Sequence, residues 1–313
     1  MNQDALWAAP GHVALGTFEF GSSIPATTAM ELMDVHHHLG GRIIDTAPTY
    51  GPTALGCRSE QVISRWLRSR RLPAGVVTKA GLNPARPACA DLDPAGLIRS
   101  AHQSAERLGT PLAGLVLHRD DPAVPVDELA DACNRLVADG TAHRIGASNW
   151  TTRRLSTWIA HAGALGLALP QITQPLWSLA RRTHRCPEPW LVEADDDHLA
   201  LAVREQLTVM PYRTLAASYL AAHHSGRHTA HHTATYDTPA NAARRDRLRA
   251  AATALGVPVE SLALACLRTG TPAHVLPVTG ARTVRQLRQT MSGMAAADQM
   301  TADLHTHLVG AGW

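Results

Sequence analysis

The feature that most restricts the fold of this chain is an eightfold alternation between short apolar runs and amphipathic helical segments. The apolar runs are too short and too rich in β-branched residues for helices, so they predict strands. The predicted strands cover residues 12–17, 42–45, 75–81, 112–117, 144–147, 170–173, 207–210 and 274–278. Strands that alternate with helices form a parallel sheet, and no linker interrupts the order. The sequence therefore predicts an α/β fold, a single (β/α)8 TIM barrel that spans residues 1–313 as one domain.

The segments between these strands carry residues that are typical of helix ends. Pro94 at a first helical position, Thr151 as a cap and Gly109 after a last turn are examples. The predicted helices cover residues 26–39, 59–70, 93–108, 126–138, 151–162, 195–205, 240–255 and 259–269, with one more from residue 283. A polar segment at about 213–240 is too long for an ordinary connection, which indicates a substrate or cofactor loop. No G-x-G-x-x-G follows a strand, which argues against a Rossmann domain.

Charge and composition exclude several classes of partner. The net charge of +3 is small. The sequence also lacks the stripe of basic residues interleaved with aromatic residues that is typical of nucleic-acid-binding proteins. The opening residues lack the basic region and long apolar run of a signal peptide, and no apolar stretch is long enough for a membrane span. The five cysteines include no CxxC, which is typical of reduced thiols. We therefore expect a cytoplasmic protein with no nucleic-acid or membrane partner; the oligomeric state is left open.

Polar residues follow the apolar strands at the points where the strands end. Asp45 comes directly after the second strand, and Tyr50 follows in a turn bounded by proline and glycine. Lys79 ends the next strand and His118 the one after. The carboxyl ends of the strands of such a barrel converge on one mouth, where ligands bind. Buried polar groups need partners, so this repetition is difficult to explain as core packing.

Lys79 is the one lysine among 29 basic residues, the others being arginine. A compact ammonium has a pKa that shifts readily, whereas a guanidinium stays charged and is bulkier. Such a cation near Tyr50 would stabilise the phenolate and make the phenol a better acid. Asp45 would hold Lys79 by a charge-assisted hydrogen bond. His118 would hydrogen-bond a reacting carbonyl oxygen or assist the proton transfer.

Other strand ends carry groups suited to a cofactor. Ser148, Asn149 and Gln174 offer the donors and acceptors that a carboxamide requires. Tyr212 offers a flat ring for stacking, and Arg282 at the start of a helix is suited to an anion.

These residues lie within eight motifs that occur in a fixed order along the chain. They are GRIIDTAPTYG, VVTKAG, LVLHRDDP, RIGASNW, QITQPLWSLA, MPYRTLA, YDTPANAARRDRL and PVTGARTVRQL. Over nearly its whole length the chain resembles the aldo-keto reductases. The resemblance implies an NADP(H)-binding barrel with Asp45, Tyr50, Lys79 and His118 as the catalytic tetrad. Tyr50 would be the general acid in the reduction of an aldehyde or ketone.

The resemblance also implies which residues bind the cofactor. Ser148, Asn149 and Gln174 would hold the nicotinamide amide, and Tyr212 would stack on its ring. Arg282 and Gln286 would meet the 2′-phosphate and ribose, which favours NADPH over NADH. The full implied set is Thr17, Phe18, Ser148, Asn149, Gln174, Tyr212, Arg213, Leu215, Gly280, Arg282, Gln286 and Gln289.

The chain departs from the family pattern at three places. Gln289 and Thr290 replace an acidic residue and asparagine near the adenine, which implies looser adenine contacts. Arg213 stands where serine is usual, which implies a guanidinium near the pyrophosphate or the substrate. The N-terminal hairpin that often closes the barrel floor is shortened.

The substrate pocket is predicted to be lined by aromatic residues and one proline. They are Phe18, Phe20, Pro48, Trp177 and Trp190. Such a pocket suits a small-molecule aldehyde or ketone. Arg213 and the histidine-rich loop would equally suit an anionic ketone, a keto-sugar or a natural-product intermediate, so the substrate stays open.

Two alternatives belong to other functional classes. A metal-dependent TIM-barrel hydrolase is suggested by 18 histidines, among them His224, His228 and His232 at helical spacing. We interpret these three histidines as part of a solvated loop. The run 36–38 is predicted to lie at the carboxyl end of a helix, where histidine complements the helix dipole. We therefore predict no metal site. A regulatory NADP(H)-binding subunit of the same fold would retain the tetrad and act through a partner.

Overall fold

The strands and helices of the protein alternate along the chain as predicted. The computed structural model describes residues 3–7, 13–51, 58–83, 86–183, 188, 190–221, 235–294 and 300–310. The strands are β1 Ala14–Gly16, β2 Ile43–Asp45, β3 Gly75–Ala80, β4 Leu82–Asn83, β5 Arg86–Ala90, β6 Gly114–Leu117, β7 Ile145–Ser148, β8 Ile172–Gln174, β9 Thr208–Val209, β10 His274–Val275 and β11 Val278–Thr279. The helices are α1 Gln3–Trp7, α2 Ala26–His38, α3 Arg58–Arg70, α4 Pro94–Leu108, α5 Val126–Ala138, α6 Thr152–Leu165, α7 Asp196–Arg204, α8 Pro239–Leu255, α9 Val259–Thr269, α10 Val284–Ser292 and α11 Ala302–Val309.

Nine parallel strands form one sheet that closes on itself. The strand order is β10-β9-β8-β7-β6-β3-β2-β1-β11, so the two edge strands, β10 and β11, are neighbours in sequence. The amide of Leu276 donates to the carbonyl of Val209, and the amide of Ala14 donates to the carbonyl of Pro277, at 2.8 and 2.9 Å. Segment 274–279 therefore bonds to β9 on one side and to β1 on the other. It is the eighth strand of a (β/α)8 barrel, which confirms the predicted fold class.

Two apolar layers hold this barrel together. Ile44 and Val76 pack outward against the helices, in the larger core cluster. Ile43 and Val77 point into the barrel, where they belong to a second, smaller core cluster. Because side chains alternate along a strand, neighbouring residues of one strand belong to different layers. The interior layer makes the lower part of the barrel a packed core, as this architecture requires.

Helix α1 lies at the floor of the barrel. Leu6 and Trp7 are buried and join the interior cluster. Arg144, directly before β7, lies over the Trp7 ring at 4.5 Å and pairs with Asp4 at 3.2 Å. One short helix thus covers the amino-terminal ends of the strands.

Most predicted boundaries agree with the structure because the capping residues act locally. Asp93, Thr151 and Asp195 each accept a hydrogen bond from an amide in the first turn of the helix that follows. The antiparallel pair β4–β5 and helices α1 and α11 were not predicted. The eighth strand is divided into two short segments, with Leu276 and Pro277 between them. His12 of the first predicted strand and positions 222–234 of the long loop lie outside the described residues.

The histidine run at the end of α2 differs from its prediction at His36. Its side chain is 2% exposed, and its Nε2 lies 3.1 Å from the carbonyl oxygen of Val13. Burial lowers the pKa of His36 to about 4, so the imidazole is neutral and does not complement the helix dipole. The ring rests on Gly41, where an added Cβ would lie 2.2 Å from Nε2. Glycine at this position is therefore required by close packing.

We expect the neutral His36 to make stability depend on pH. Its pKa is about 4 in the folded chain, against the ordinary histidine value of 6.5, so the unfolded chain binds the proton more tightly. The stabilisation is complete above pH 6.5 and is lost as the pH falls towards 4. Urea unfolding should show that His36→Gln removes about 2 kcal/mol of the loss in unfolding free energy between about pH 7.5 and about pH 5. The matched variant at exposed His143, His143→Gln, should keep the wild-type slope; equal slopes for both variants would contradict this role of His36.

Candidate active site

The polar side chains of the barrel mouth form a layer directly above the apolar interior layer. Each lies two residues after an interior apolar residue of the same segment, so it points into the barrel as that residue does. The pairs are Ile43 with Asp45, Val77 with Lys79, Val116 with His118, Ile172 with Gln174 and Met210 with Tyr212. The strand period thus brings together at one mouth residues that are far apart in the chain.

Lys79 and Asp45 form a buried ion pair in this layer. The Nζ atom of Lys79 donates to Oδ1 of Asp45 at 2.7 Å, to Oδ2 at 2.9 Å and to the carbonyl of Thr46 at 2.9 Å. Its side chain is 2% exposed and that of Asp45 is 4% exposed. All three ammonium hydrogens therefore have acceptors, which is the condition under which a buried lysine stays charged.

Tyr50 lies beside this pair, between two other rings of the mouth. Its ring centroid is 4.8 Å from Nζ of Lys79 and 6.0 Å from the His118 ring. Phe18 meets the other side edge-on at 5.1 Å. The structure thus brings all four predicted tetrad residues into one group.

The electrostatics of the group differ in one respect from the expectation. Burial raises the pKa of Tyr50 above its usual value, and Lys79 offsets that effect only in part. Burial works to lower the pKa of Lys79, but Asp45 and Tyr50 hold that pKa above its usual value. Burial, with Lys79 and Arg119 nearby, lowers the pKa of His118 well below its usual range. At neutral pH the site therefore holds a cationic lysine, a neutral phenol and a neutral imidazole.

A second polar group is centred on Asn149, which has a left-handed backbone with φ of 60°. Its Nδ2 donates to Oγ of Ser148 at 3.0 Å and to the carbonyl of His118 at 3.2 Å. Tyr212 donates its hydroxyl hydrogen to Oδ1 of Asn149 at 2.5 Å. Ser148 in turn donates to the carbonyl of Gln174 at 2.8 Å. The sequence-predicted amide-binding residues therefore lie together.

One atom of this group lacks a partner within the described part of the chain. Nε2 of Gln174 donates to Oδ1 of Asp45 at 2.8 Å, which orients the amide. Its Oε1 is buried and accepts no hydrogen bond from the described residues. A buried acceptor without a donor is costly, and a primary amide N–H of a ligand would satisfy it. The residues present thus fit the carboxamide of a nicotinamide.

The two arginines of the predicted cofactor set are both paired with carboxylates. Arg213 donates to both carboxylate oxygens of Glu188 at 3.0 and 3.3 Å. Arg282 donates to Oε1 of Glu19 at 2.9 and 2.6 Å, and its amide donates to Oε1 of Gln286 at 2.9 Å. Arg213, predicted to lie near the pyrophosphate or the substrate, therefore carries a compensating charge beside its guanidinium.

Two predicted ligand-facing residues are fully buried. Thr17 is fully buried, and its hydroxyl donates to the carbonyl of Asp45 at 2.9 Å. Phe20 is also fully buried, within the outer core cluster. Both residues lie in the segment directly after β1. Thr17 thereby joins the segment after β1 to the end of β2, which carries Asp45.

The other predicted substrate and cofactor residues vary in exposure. Phe18 is 58% exposed, Trp177 is 3% exposed and Pro48 is buried. Trp190 is partly exposed, with the Arg119 guanidinium 3.7 Å above its ring. The remaining cofactor positions are partly buried Leu215 and exposed Gly280 and Gln289.

Several site residues were not predicted from the sequence. Thr46 supplies its carbonyl to Lys79, and Ser59 links the hydroxyls of Thr17 and Thr46 at 2.7 and 3.0 Å. Glu19 and Glu188 neutralise the two arginines. Only Glu19 and Thr46 carried a signal, which is their position shortly after a strand end.

A cavity of about 570 Å³ lies away from this group, between α8, α9 and α10. Gln289 is in its lining, but no tetrad residue is. Within the described ranges, no group of three histidine, cysteine or carboxylate side chains is arranged for a metal ion. His224, His228 and His232 lie outside those ranges. Among the described helices, none is by itself long and apolar enough to cross a membrane; the bent pair α8–α9 passes that test only together.

Comparison with known proteins identifies the family to which the sequence belongs. A family model described as "Aldo/keto reductase family" matches residues 12–306. The chain is 28% identical over 305 residues to "Norsolorinic acid reductase B" of Aspergillus parasiticus, covering 88% of this chain and 74% of that protein. It is 25% identical over 216 residues to "Aldo-keto reductase YhdN" of Bacillus subtilis, covering 66% of this chain and 59% of that protein.

Another relative is named as a channel subunit and not as a reductase. Identity is 29% over 155 residues to "Putative voltage-gated potassium channel subunit beta" of Schizosaccharomyces pombe, covering 47% of this chain and 43% of that protein. The chain spans about half the length of several of the curated relatives that it matches.

Proposed function

Because the chain belongs to the aldo/keto reductase family, we propose that it is an NADPH-dependent reductase of aldehydes or ketones. The observation that supports this most strongly is the buried Lys79–Asp45 pair with the Tyr50 phenol directly beside it. A hydride acceptor that becomes an alkoxide needs a proton, and this arrangement offers one. When bound, the reduced nicotinamide supplies the hydride.

Tyr50 is the general acid in this proposal. The phenol is neutral at working pH because burial raises its pKa, so it carries a proton to give. As the proton leaves, the Lys79 ammonium stabilises the phenolate at close range in a site of low dielectric constant. Asp45 and the Thr46 carbonyl keep the ammonium charged and fixed.

His118 orients the substrate. Its lowered pKa keeps the imidazole neutral, so one ring nitrogen carries a hydrogen that it donates to the carbonyl oxygen. Because the imidazole is neutral, His118 adds no second positive charge beside Lys79. Phe18, Pro48, Trp177 and Trp190 would border the substrate as apolar surfaces.

The cofactor is held by residues from several strand ends. Gln174, Ser148 and Asn149 meet the amide, Tyr212 lies at the ring, and Arg282 with Gln286 meets the 2′-phosphate and ribose. The unsatisfied Oε1 of Gln174 supports the amide contact. The proposed compartment is the cytoplasm, where NADPH is supplied in reduced form.

A cofactor titration and a carbonyl screen test this proposal. We expect NADPH to quench tryptophan fluorescence saturably and to bind more tightly than NADH. With a panel of aldehydes, ketones and keto-sugars, we expect consumption of NADPH with at least one carbonyl class. Absence of binding by either nucleotide would refute the proposed function.

The same measurements separate a regulatory subunit from an enzyme. A relative named as a potassium channel subunit beta suggests that a barrel of this family can serve a partner protein. Tight NADPH binding with no turnover on any carbonyl of the panel would favour that alternative. The complete tetrad supports turnover.

A further inference from the structure

We propose that Glu19 reduces the preference of this chain for NADPH over NADH, because its carboxylate competes with the 2′-phosphate for Arg282. This inference rests on the proposed function, since it concerns the same cofactor site. It adds a residue that neither the motifs nor the family pattern assigned. It starts from the partners that the structure gives to Arg282.

Arg282 is engaged by a small network of groups on the loop after β1. Two of its guanidinium nitrogens donate to Oε1 of Glu19, at 2.9 and 2.6 Å. Ser23 donates its hydroxyl hydrogen to the same Oε1 at 2.8 Å and accepts from Arg282 at 3.2 Å. The cation proposed to bind the phosphate is thus already paired within the chain.

The fold brings the two residues of this pair together. Strands β1 and β11 are hydrogen-bonded neighbours, with Leu15 opposite Thr279, so the loops that follow them lie side by side. The turn that carries Glu19 is itself ordered, because the amide of Ile24 donates to the Glu19 carbonyl at 3.0 Å. The backbone of these two loops therefore holds the Glu19 carboxylate close to Arg282.

The charges then discriminate between the two nucleotides. A phosphate monoester carries about −1.5 to −2 charges, and it pairs with Arg282 only after it displaces the Glu19 carboxylate from the guanidinium. A ribose hydroxyl is neutral and can donate a hydrogen bond to that carboxylate. Glu19 therefore penalises NADPH and not NADH. The side chains of Arg282 and Glu19 are 41% and 35% exposed, so solvent limits the penalty to about tenfold or less.

The test is a nucleotide titration of the full chain carrying Glu19→Gln, which removes the charge and keeps the shape. We expect the NADPH dissociation constant to fall about fivefold to tenfold, while that of NADH changes less than about twofold. Glu106→Gln is the matched control, because it makes the same change of charge at a solvent-accessible position near the end of α4, away from the barrel mouth. That control should leave both constants unchanged.

A double variant identifies Arg282 as the group through which Glu19 acts. In an Arg282→Met background, Glu19→Gln should no longer improve NADPH binding, because the carboxylate has no guanidinium to occupy. The inference is overturned if both nucleotides bind but Glu19→Gln leaves their ratio within about twofold of wild type, and also if the gain persists without Arg282. Those results would leave the proposed function intact. Binding of neither nucleotide would remove the function and this inference together.

Discussion

Replacement of Tyr50 by phenylalanine should abolish carbonyl reduction while the cofactor still binds. The hydroxyl is the proposed proton donor, and a positioned general acid contributes about 10²–10⁴-fold to turnover. Phenylalanine keeps the ring between Phe18 and His118, whose centroids lie 5.1 and 6.0 Å away, so the mouth should keep its shape. We therefore expect kcat to fall by at least about 100-fold.

The measurement is NADPH oxidation with the best substrate of the screen, together with a fluorescence titration. The NADPH dissociation constant of Tyr50→Phe should remain within about twofold of wild type. Thr157→Val removes a hydroxyl at an exposed position of α6, away from the tetrad, and should leave both quantities unchanged. Wild-type turnover by Tyr50→Phe would exclude Tyr50 as the acid.

The pH dependence of carbonyl reduction is a second test of the role of Tyr50. Burial raises the pKa of Tyr50, so the phenol stays protonated across the neutral range. We expect reduction in the wild type to decline only as the pH rises beyond the usual pKa of tyrosine, about 10. The sign follows because an acid acts only while it holds its proton.

The second large effect is expected when Asp45 is changed to asparagine. This change leaves the Lys79 ammonium buried without its counter-charge, and removal of one partner of a buried pair costs about 3–5 kcal/mol. The pair is 2% and 4% exposed, so little solvent screening reduces this value. We expect urea unfolding to show a loss of about 3 kcal/mol or more, with loss of turnover.

Two further variants test whether the effect comes from the pair itself. Adding Lys79→Met to Asp45→Asn removes the isolated charge, so the double variant should be more stable than additivity predicts. Asp34→Asn makes the same change in an ion pair with Arg70, and the side chains of Arg70 and Asp34 are 42% and 35% exposed. Its cost should stay within about 1 kcal/mol. Equal losses at the buried and exposed positions would contradict the assigned role of the buried pair.

The regular part of the fold was predictable because its causes are local. Short β-branched runs and capping residues such as Asp93 and Thr151 fix elements within a few residues of themselves. Helix α2 was predicted at residues 26–39 and is found at Ala26–His38. The match to the family over residues 12–306 confirms the resemblance read from the eight motifs. We did not predict β4 and β5, because both strands are short and each forms only when it pairs with the other.

The sequence by itself determined which chemical groups reach the barrel mouth, because the two-residue period of each strand aligns Asp45, Lys79, His118 and Gln174 with interior apolar residues. The sequence also predicted the bond between Asp45 and Lys79, whereas only the tertiary structure decided the partners of the two arginines. The Glu19–Arg282 pair joins residues 263 positions apart, and no spacing rule predicts a contact at that separation. Burial was equally undecided by sequence: it made His36 neutral and raised the pKa of Tyr50, because desolvation depends on what the whole fold packs around a group.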